Sequence, residues 1–354
     1  MDNYIIWFNI FEHLKLKSKI ALICTNSIFK NNLSITDLYN IEDIYLDRLR
    51  QNIIESDIFC NVTQLKARHK IYNVSFLRNL KILDASCHPN HRQICRIDQD
   101  GIQGLDLVCL DASFNNRITD VSFMTNLKAL YVCSECDYNL GDQFFFSDID
   151  QNGIRGLDLE VFYANDNKKI IDVSFMKNLK HLSAGCLCGL DQNSIKELDL
   201  YQLHVAENNK ITDISFMKNL KKVNIRHNVI INQNSIQNLN LIELNVSNNP
   251  NIRDVSFMTN LKKLHAGYRS GIDQNGISGL KLYDFNIENN PNILDVSFMS
   301  SLKILNISCG SRVNDDGIKG LDLIILDSWG NENITKKGVY AMKNLRIHRH
   351  WTNI

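Results

Sequence analysis

Aliphatic residues recur along most of this chain with one spacing. In the segment that begins at Leu241, apolar residues at Leu244, Val246 and Ile252 flank Asn249. The step of two residues from Leu244 to Val246 indicates a strand with one buried face, because successive side chains of a strand point to opposite sides. The wider steps on either side do not continue this alternation. The pattern therefore predicts a strand of only a few residues, followed by a turn and a short connecting segment.

The unit that repeats is a pair of such segments. One carries a Val/Ile-Ser-Phe phrase, and the other carries an Ile-x-x-Leu phrase. From Phe175 onward the first phrase recurs every 41 residues, and from Ile154 onward so does the second, so each half-repeat has 20 or 21 residues. Repeats of this length are typical of solenoids, in which each unit buries its apolar face only against its neighbours.

The half-repeat has the form L-x-x-L-x-L-x-x-N-x-x-I from about Val62 to the C-terminus, and this resembles the leucine-rich-repeat superfamily. The phrase Ile-Thr-Asp-Val/Ile-Ser-Phe-Met is similar to internalin-type repeats, and Asp-Gln-Asn-Gly-Ile is similar to cysteine-containing repeats. The resemblance implies an α/β fold. We expect a solenoid of about 14 turns, with a curved parallel β-sheet on its concave face and short 3₁₀ or α segments on its convex face.

Particular positions of the half-repeat are expected to have fixed roles. Positions 4 and 6 should point into the core, and positions 3, 5 and 7 should face the concave surface. Asparagine at position 9 can bond main-chain groups in the turn and form a ladder. In one half-repeat the ladder is intact, at Asn115, Asn167, Asn208, Asn249, Asn290 and Asn331. In the other half-repeat the asparagine is mostly replaced, by His88, Glu135, Leu187, Arg269 and Gly310. This replacement predicts a looser turn there.

The Val/Ile-Ser-Phe phrase is preceded by an aspartate. A carboxylate there can cap a short 3₁₀ or helical turn by accepting main-chain N–H groups. The phenylalanine is then expected to stack on its neighbours behind the strand. The aspartates are Asp120, Asp172, Asp213, Asp254 and Asp295.

Two ends of the chain differ from the repeat. We predict a helical module or cap at residues 1–45 and the solenoid at 46–354. In the last turn, His348 and His350 occupy core positions 4 and 6. A terminal turn tolerates polar residues there because one of its faces has no neighbour. The alternative is a binding edge formed by His350 and Trp351.

The N-terminal segment up to Phe29 resembles an F-box, the helical module that docks on a Skp-type adaptor of cullin ubiquitin ligases. The usual leading Leu-Pro is missing, and Ser-Ile-Phe replaces the common Trp-containing end. A plain helical cap over the first repeat is the alternative. The resemblance implies adaptor docking by Ile10, Phe11, Leu14, Ile20, Leu22 and Ile23.

Two insertions in equivalent half-repeats carry cysteine and histidine. Loops two turns apart begin only ~10 Å from each other, so their side chains form a candidate zinc site. Free thiols and solvent-facing histidines are the alternative, since no subset has a known zinc-finger spacing. The candidate ligands are Cys87, His88, His91, Cys95, Cys133 and Cys136.

The expected concave face carries aromatic, charged and histidine side chains of the kinds that anchor interfaces. These candidates are Tyr131, Tyr163, His181, His204, Arg226, Glu243, His265, Glu288 and Trp329. A row of basic residues at position 2 either grips an acidic partner or forms a solvated edge. It comprises Lys81, Lys128, Lys180, Lys221, Lys262, Lys303 and Arg346.

Composition narrows the classes of function. Lys+Arg and Asp+Glu both number 39, which gives no general attraction to nucleic acid or to anionic membrane. No apolar run is long enough to span a bilayer, and the N-terminus lacks the features of a secretory signal. We find no phosphate loop, nucleophile elbow or paired carboxylates, and we expect no cofactor.

These observations predict an intracellular, cytoplasmic, non-catalytic scaffold that binds a protein on its concave face. The F-box resemblance implies a substrate-recognition adaptor of a cullin ubiquitin ligase. The alternative is a plain leucine-rich-repeat binding protein with no link to ubiquitin, with or without a structural zinc ion in the inserted loops.

Overall fold

The structure, a computed structural model, describes residues 18–19, 35–38, 50–87, 95–134, 146–340 and 342–349. The chain divides into two compact units, residues 1–171 with 175–178, and residues 172–174 with 179–354. Each unit is a parallel β-solenoid of the leucine-rich-repeat type with short 3₁₀ or α segments between its strands. The predicted fold class is therefore confirmed.

In the first unit each strand pairs in parallel with the next strand along the chain. The pairing already includes β1, which lies before residue 46, within the segment predicted as a helical module or cap. The strands are β1 (Asp37–Leu38), β2 (Gln64–Lys66), β3 (Ile82–Asp84), β4 (Cys109–Asp111), β5 (Ala129–Tyr131) and β6 (Val161–Tyr163). The connecting segments are helix α1 (Gln51–Ile54) and the 3₁₀ turns Asp57–Phe59, Asp100–Ile102 and Asn152–Ile154.

The second unit is built in the same way. Its strands are β7 (His181–Ser183), β8 (Gln202–His204), β9 (Lys222–Asn224), β10 (Glu243–Asn245), β11 (Lys263–His265), β12 (Asp284–Asn286), β13 (Ile304–Asn306), β14 (Ile325–Asp327) and β15 (Ile347–Arg349). Its connecting segments are α2 (Gln192–Ile195), α3 (Gln233–Ile236), α4 (Lys336–Tyr340) and the 3₁₀ turns Asn275–Ile277 and Asp316–Ile318. No helix in the described part of the chain is long and apolar enough to cross a membrane.

The strands are short because the main chain turns sharply just after them. Leu244 and Val246 are buried, as expected for positions 4 and 6. Asn248, at position 8, has a φ of 58°, in the left-handed region. Its N–H donates to the carbonyl of Gly267 in the next turn, at 3.3 Å. The same φ occurs at position 8 of other repeats, at Phe114, Asp166, Cys186, Glu207, His227, Tyr268, Asn289 and Cys309.

The predicted asparagine ladder at position 9 is confirmed. Asn249 is fully buried, and its Nδ2 donates to the carbonyls of Asn228 and Ile231 at 2.7 and 2.9 Å. Its Oδ1 accepts the N–H of Asn251 at 2.9 Å. All three partners are main-chain groups that no strand satisfies. The side chain therefore closes one turn and ties it to the preceding turn.

In the alternate half-repeats a buried serine takes part of this role. Ser270 and Ser311 are buried one position after the missing asparagine. Their hydroxyls accept the N–H groups of Ile272 and Val313 at 3.4 Å, a longer contact than the asparagines make. Asn228 is the exception, since it keeps the asparagine and its bonds to main-chain carbonyls. These longer contacts agree with the looser turn expected there.

The predicted aspartate caps are present, but the phenylalanine that follows them is not in the core. Asp254 Oδ1 accepts from the Ser256 N–H at 2.8 Å and from its hydroxyl at 2.7 Å. Val255 and Met258 are fully buried, whereas Phe257 is 39% exposed. The N–H of Met258 bonds the carbonyl of Val255 at 2.9 Å, so these two residues share the inner side of one tight turn. Phe257 is therefore only partly covered and lies nearer the surface than Val255 and Met258, and its stacking on the neighbouring phenylalanines stays a prediction.

A glutamine ladder, which the sequence analysis missed, joins successive turns on the side away from the strands. Gln233 Oε1 accepts the N–H groups of Arg253 and Asp254 at 3.0 and 3.1 Å. Its Nε2 donates to the carbonyl of Asp254 at 2.8 Å. The amide thus bonds the main chain of the next turn much as a neighbouring strand would. Equivalent contacts are made by Gln51, Gln99, Gln192 and Gln274.

Candidate functional site

The second unit presents a cavity on the solvent-facing side of its sheet. It has a volume of about 210 Å³ and is lined by strands β8 to β11. We call its polar lining the sheet-face site. The site comprises Gln202, His204, Lys222, Asn224, Glu243, Asn245, Lys263 and His265. Each of these side chains is half-buried.

The first residues of strands β9 to β12 form a row of alternating charge. The register aligns Lys222, Glu243, Lys263 and Asp284 on neighbouring strands. Lys222 Nζ lies 2.7 Å from Glu243 Oε1, and Lys263 Nζ lies 2.9 Å from Asp284 Oδ2. The hydrogen bond to Glu243 raises the pKa of Lys222. Each charge is thus compensated within the row, and the row as a whole is neutral.

The third residues form a parallel row of amides and imidazoles. Asn224 and Asn245 cap the turns that follow them, since their Oδ1 atoms accept the N–H groups of Arg226 and Ser247 at 3.1 and 3.0 Å. Burial lowers the pKa of both His204 and His265. Asn224 Nδ2 lies 3.2 Å from His204 Nε2, a contact that suits a neutral ring accepting at that nitrogen. At neutral pH this row therefore offers hydrogen bonds without charge.

The structure brings three of the predicted surface residues together in the sheet-face site, namely His204, Glu243 and His265. Arg226, Glu288 and Trp329 follow the strands instead, at position 7 of their turns. Arg226 is exposed and Trp329 is 51% exposed. These residues form a separate rim beyond the strand ends, so the cavity contains only part of the predicted set.

Two aromatic contacts involve the remaining candidates, which are Tyr131, Tyr163 and His181. In the first unit the rings of Tyr131 and Tyr163 meet edge to face, with centroids 5.0 Å apart. In the second unit the ring of His181 lies 5.8 Å from that of Tyr201. These residues occupy the expected positions of their strands, and their role in binding stays a prediction.

Sequence reasoning missed the lysines and asparagines of the site. Lys222 and Lys263 look like solvated surface residues in the sequence, and Asn224 and Asn245 look like ordinary turn residues. The available signal was their position, because positions 3 and 5 of adjacent half-repeats must line up in a parallel sheet. Tyr268, at position 8 of its half-repeat, was also missed; its hydroxyl donates to Glu288 Oε1 at 2.9 Å.

Only three of the six candidate zinc ligands lie within the described residues, which omit His88, His91 and Cys136. Cys87 and Cys95 are both buried, and the Cys87 thiol contacts the Cys95 carbonyl at 3.6 Å. A hydrogen bond with Cys95 and burial raise the pKa of Cys87, and burial raises the pKa of Cys133 to about 11. No group of three or more potential ligands occurs in the described residues. The zinc site stays a prediction.

The predicted adaptor-docking residues all lie outside the described residues, as do His350 and Trp351 of the C-terminal edge. Strand β15, just before that edge, is exposed along its whole length. His348 occupies core position 4 of this last strand, and its Nε2 lies 3.0 Å from the Ser328 hydroxyl. A polar residue is thus accommodated at a core position in the terminal turn.

Comparison with known proteins finds likeness only among solved structures, since no family model and no curated protein matches the chain. An internalin, InlF of Listeria monocytogenes, aligns with 18% identity and a TM-score of 0.40, covering 88% of this chain and 93% of its own. Rad7 in complex with Elc1, from yeast, aligns with 16% identity and a TM-score of 0.41, covering 82% and 75%. The mouse RP105/MD-1 complex aligns with 16% identity and a TM-score of 0.39, covering 82% and 51%.

Proposed function

We propose that this protein is a non-catalytic scaffold that holds a partner protein on the sheet-face site of its second unit. The observation that carries the proposal is the cavity of about 210 Å³, lined by polar side chains from four consecutive strands. Strand pairing, the asparagine ladder and the glutamine ladder hold these side chains before any partner arrives. A preorganised surface loses little conformational entropy on binding, which favours affinity.

The chemistry of the site favours a partner that is recognised by hydrogen bonds. Because Lys222 is paired with Glu243 and Lys263 with Asp284, the site has little net charge to steer a ligand. The neutral imidazoles and the amides supply directional donors and acceptors. Beyond them, Arg226 and Trp329 are of the types that most often anchor protein interfaces.

The proposal is tested by charge reversal inside the cavity. The wild-type chain is used as bait to isolate partners, and binding of each purified partner is then measured with Glu243→Arg. This change fills part of the cavity and leaves Lys222 without its carboxylate, so the affinity should fall about tenfold or more. The matched control is Glu197→Arg, at an exposed position after helix α2. Equal binding by both variants would remove the sheet-face site from the proposal.

A second proposal, that the protein is a ubiquitin-ligase adaptor, is supported by the sequence of residues 10–29 alone. In it, the N-terminal segment recruits a Skp-type protein in the cytoplasm while the second unit holds the substrate. The test is co-purification of the full chain with a Skp-type adaptor. The double change Ile10→Asp/Leu14→Asp should abolish capture, whereas Lys17→Ala in the polar link should not. Without adaptor binding by the wild-type chain, the protein is a plain leucine-rich-repeat binder.

A further inference from the structure

A lysine directly precedes every second strand of the second unit from β7 to β13. Some of these lysines pair with a carboxylate among the residues that the structure describes, and others do not. We call Lys180, Lys221, Lys262 and Lys303 the lysine edge. Lys180 Nζ lies 3.2 Å from Asp199 Oδ2, and Lys303 Nζ lies 3.1 Å from Asp322 Oδ2. Both carboxylates come from the Leu-Asp-Leu phrase of the following half-repeat. The repeat therefore contains a built-in partner for its own lysine.

The two central members of the lysine edge lack this partner. The residue that should pair with Lys221 is Asn240, and the residue that should pair with Lys262 is Lys281. Lys221 Nζ donates to the main-chain carbonyl of Asn240 at 3.2 Å, a neutral group. Within the described residues no carboxylate pairs with Lys221, Lys262 or Lys281. Two substitutions in successive repeats thus create a local excess of positive charge.

The nearby carboxylates do not offset this excess. Glu243 is held by Lys222 at 2.7 Å, and Asp284 is held by Lys263 at 2.9 Å. Both ion pairs lie on the strands, and within each pair the lysine and the carboxylate neutralise each other's charge. The positive charge at the edge is therefore available to a ligand from outside the chain.

A shallow cavity lies between the two unpaired lysines. It has a volume of about 250 Å³ and is lined by Lys221, Asn240, Ile242, Asn260 and Lys262. Ile242 gives it an apolar floor, and its two asparagines are joined by a hydrogen bond of 3.2 Å from Asn260 Nδ2 to Asn240 Oδ1. At the neighbouring repeat the same geometry holds a carboxylate, because Asn219 Nδ2 donates to Asp199 Oδ1 at 2.8 Å. The cavity thus keeps the surroundings of a carboxylate site without the carboxylate.

We infer that this cavity docks an acidic peptide segment of a partner protein, whose carboxylates replace the missing aspartates beside Lys221 and Lys262. The two lysines stand two strands apart, or ~10 Å. In an extended polyproline-II segment, residues three apart lie on one side at a separation of ~9 Å. The surface therefore fits a segment with acidic residues at every third position and apolar residues between them.

A peptide fits this surface better than a nucleic acid does. Nucleic acids gain their affinity from many phosphate contacts along a continuous basic track. Here the track is interrupted on both sides, since Asp199 and Asp322 neutralise Lys180 and Lys303. The apolar floor at Ile242 also suits a side chain more than a phosphate backbone. This inference concerns a different surface from the sheet-face site and does not rest on the function proposed above.

The test measures fluorescence anisotropy of the full chain with a labelled peptide of the repeating sequence Glu-Pro-Leu. Replacement of every glutamate by glutamine gives the control peptide. Binding should occur only with the acidic peptide and should weaken as salt is added. Lys262→Gln should weaken it about fivefold, the upper range for one exposed ion pair. The matched control Lys303→Gln, at the same position of the repeat, should change it less than twofold by the same reasoning.

The decisive variant restores the repeat rather than disrupting it. Asn240→Asp/Lys281→Asp introduces the aspartate that other repeats carry, so the fold should be kept, as circular dichroism can verify. The new carboxylates should pair with Lys221 and Lys262 and reduce peptide affinity about tenfold or more, the sum of two such ion pairs. Unchanged affinity, or no binding by the wild-type chain, overturns the inference. So does an oligonucleotide of equal charge that binds more tightly than the peptide and is lost in the same variant.

Discussion

Asn249 shows how a single side chain supports a turn that the main chain cannot close by itself. Its three hydrogen bonds satisfy two buried carbonyls and one partly buried N–H. Its position could be predicted from the sequence, because asparagine recurs there every 41 residues from Asn167 onward. The left-handed residue one position earlier could not, since it is Phe114 in one repeat and Tyr268 in another. The strain at that position is imposed by stacking and leaves no constant residue type.

Replacement of Asn249 by alanine is expected to lower the free energy of unfolding by about 3 kcal/mol, because it leaves buried main-chain groups without partners. Urea denaturation of the full chain measures the effect. The control is Asn292→Ala, an exposed asparagine two residues beyond the ladder position of another repeat, which should change stability by less than about 0.5 kcal/mol. Similar losses in both variants would contradict a supporting role for the ladder.

The two histidines of the sheet-face site are expected to make stability depend on pH. Their pKa values are lowered from 6.5 by burial, so the folded state binds a proton less readily than the unfolded state does. Their contribution to stability should be fully present above pH 6.5 and should be lost as the pH falls below that value. The measurement is the free energy of unfolding between about pH 5 and pH 8, where histidine titrates.

The double variant His204→Gln/His265→Gln should flatten this dependence, since glutamine does not titrate. Gln202→Asn, in the same cavity, is the control and should leave the slope unchanged. If the slope of the double variant equals that of the wild type, groups other than these two histidines cause the acid sensitivity.

At the scale of an element, the short strands and the short 3₁₀ or α segments between them were predicted correctly, but not which apolar residue of the connecting segment lies deepest in the core. The Val/Ile-Ser-Phe-Met phrase offers two large apolar residues side by side, Phe257 and Met258, and only one of them can face inward. The sequence alone favours the phenylalanine. The aspartate cap decides otherwise, because it fixes a tight turn in which Val255 and Met258 lie on the same side. The core is thus lined by the flexible methionine, and the rigid ring stays at the surface.

The connecting segments are also joined to each other by side chains, and Gln233 is the clearest case. Its replacement by alanine removes three hydrogen bonds to the main chain of the next turn and should cost about 1–2 kcal/mol, because the site is only half-buried. Thermal or urea unfolding of the full chain provides the measurement. Asn234→Ala, the next residue along helix α3, is exposed and should cost about 0.5 kcal/mol or less. An equal cost at both positions would show that the glutamine ladder adds nothing to the stability of the stack.

At the scale of the whole molecule, the repeat determines what the sequence can predict. The register of a parallel stack follows from the constant interval, so the neighbours of each side chain can be named in advance. His204, Glu243 and His265 were predicted as surface residues from their positions in the repeat, because histidine and glutamate are distinctive residue types there. The charge of Lys221 and Lys262 is unpaired because the next turn lacks the aspartate found in other repeats. This difference became apparent only from the ion pairs that Lys180 and Lys303 form with their aspartates.

The repeat also makes a strong prediction about deletion. Removal of residues 233–273, one full unit of 41 residues, joins Asn232 to Gln274. Asn232 Oδ1 accepts the N–H of Asn234, and Asp273 Oδ1 accepts the N–H of Asn275. Each cap thus bonds the residue two positions later, so the new junction restores an equivalent cap. Since each turn contacts only its neighbours, the shortened chain should stack in register and unfold cooperatively, with a lower free energy of unfolding. Its circular dichroism spectrum should keep the wild-type shape. Removal of residues 233–263 cuts the repeat out of phase, places strand residues against connecting segments, and should prevent folding. If both shortened chains behave alike, stability does not come from the stacking of equivalent turns.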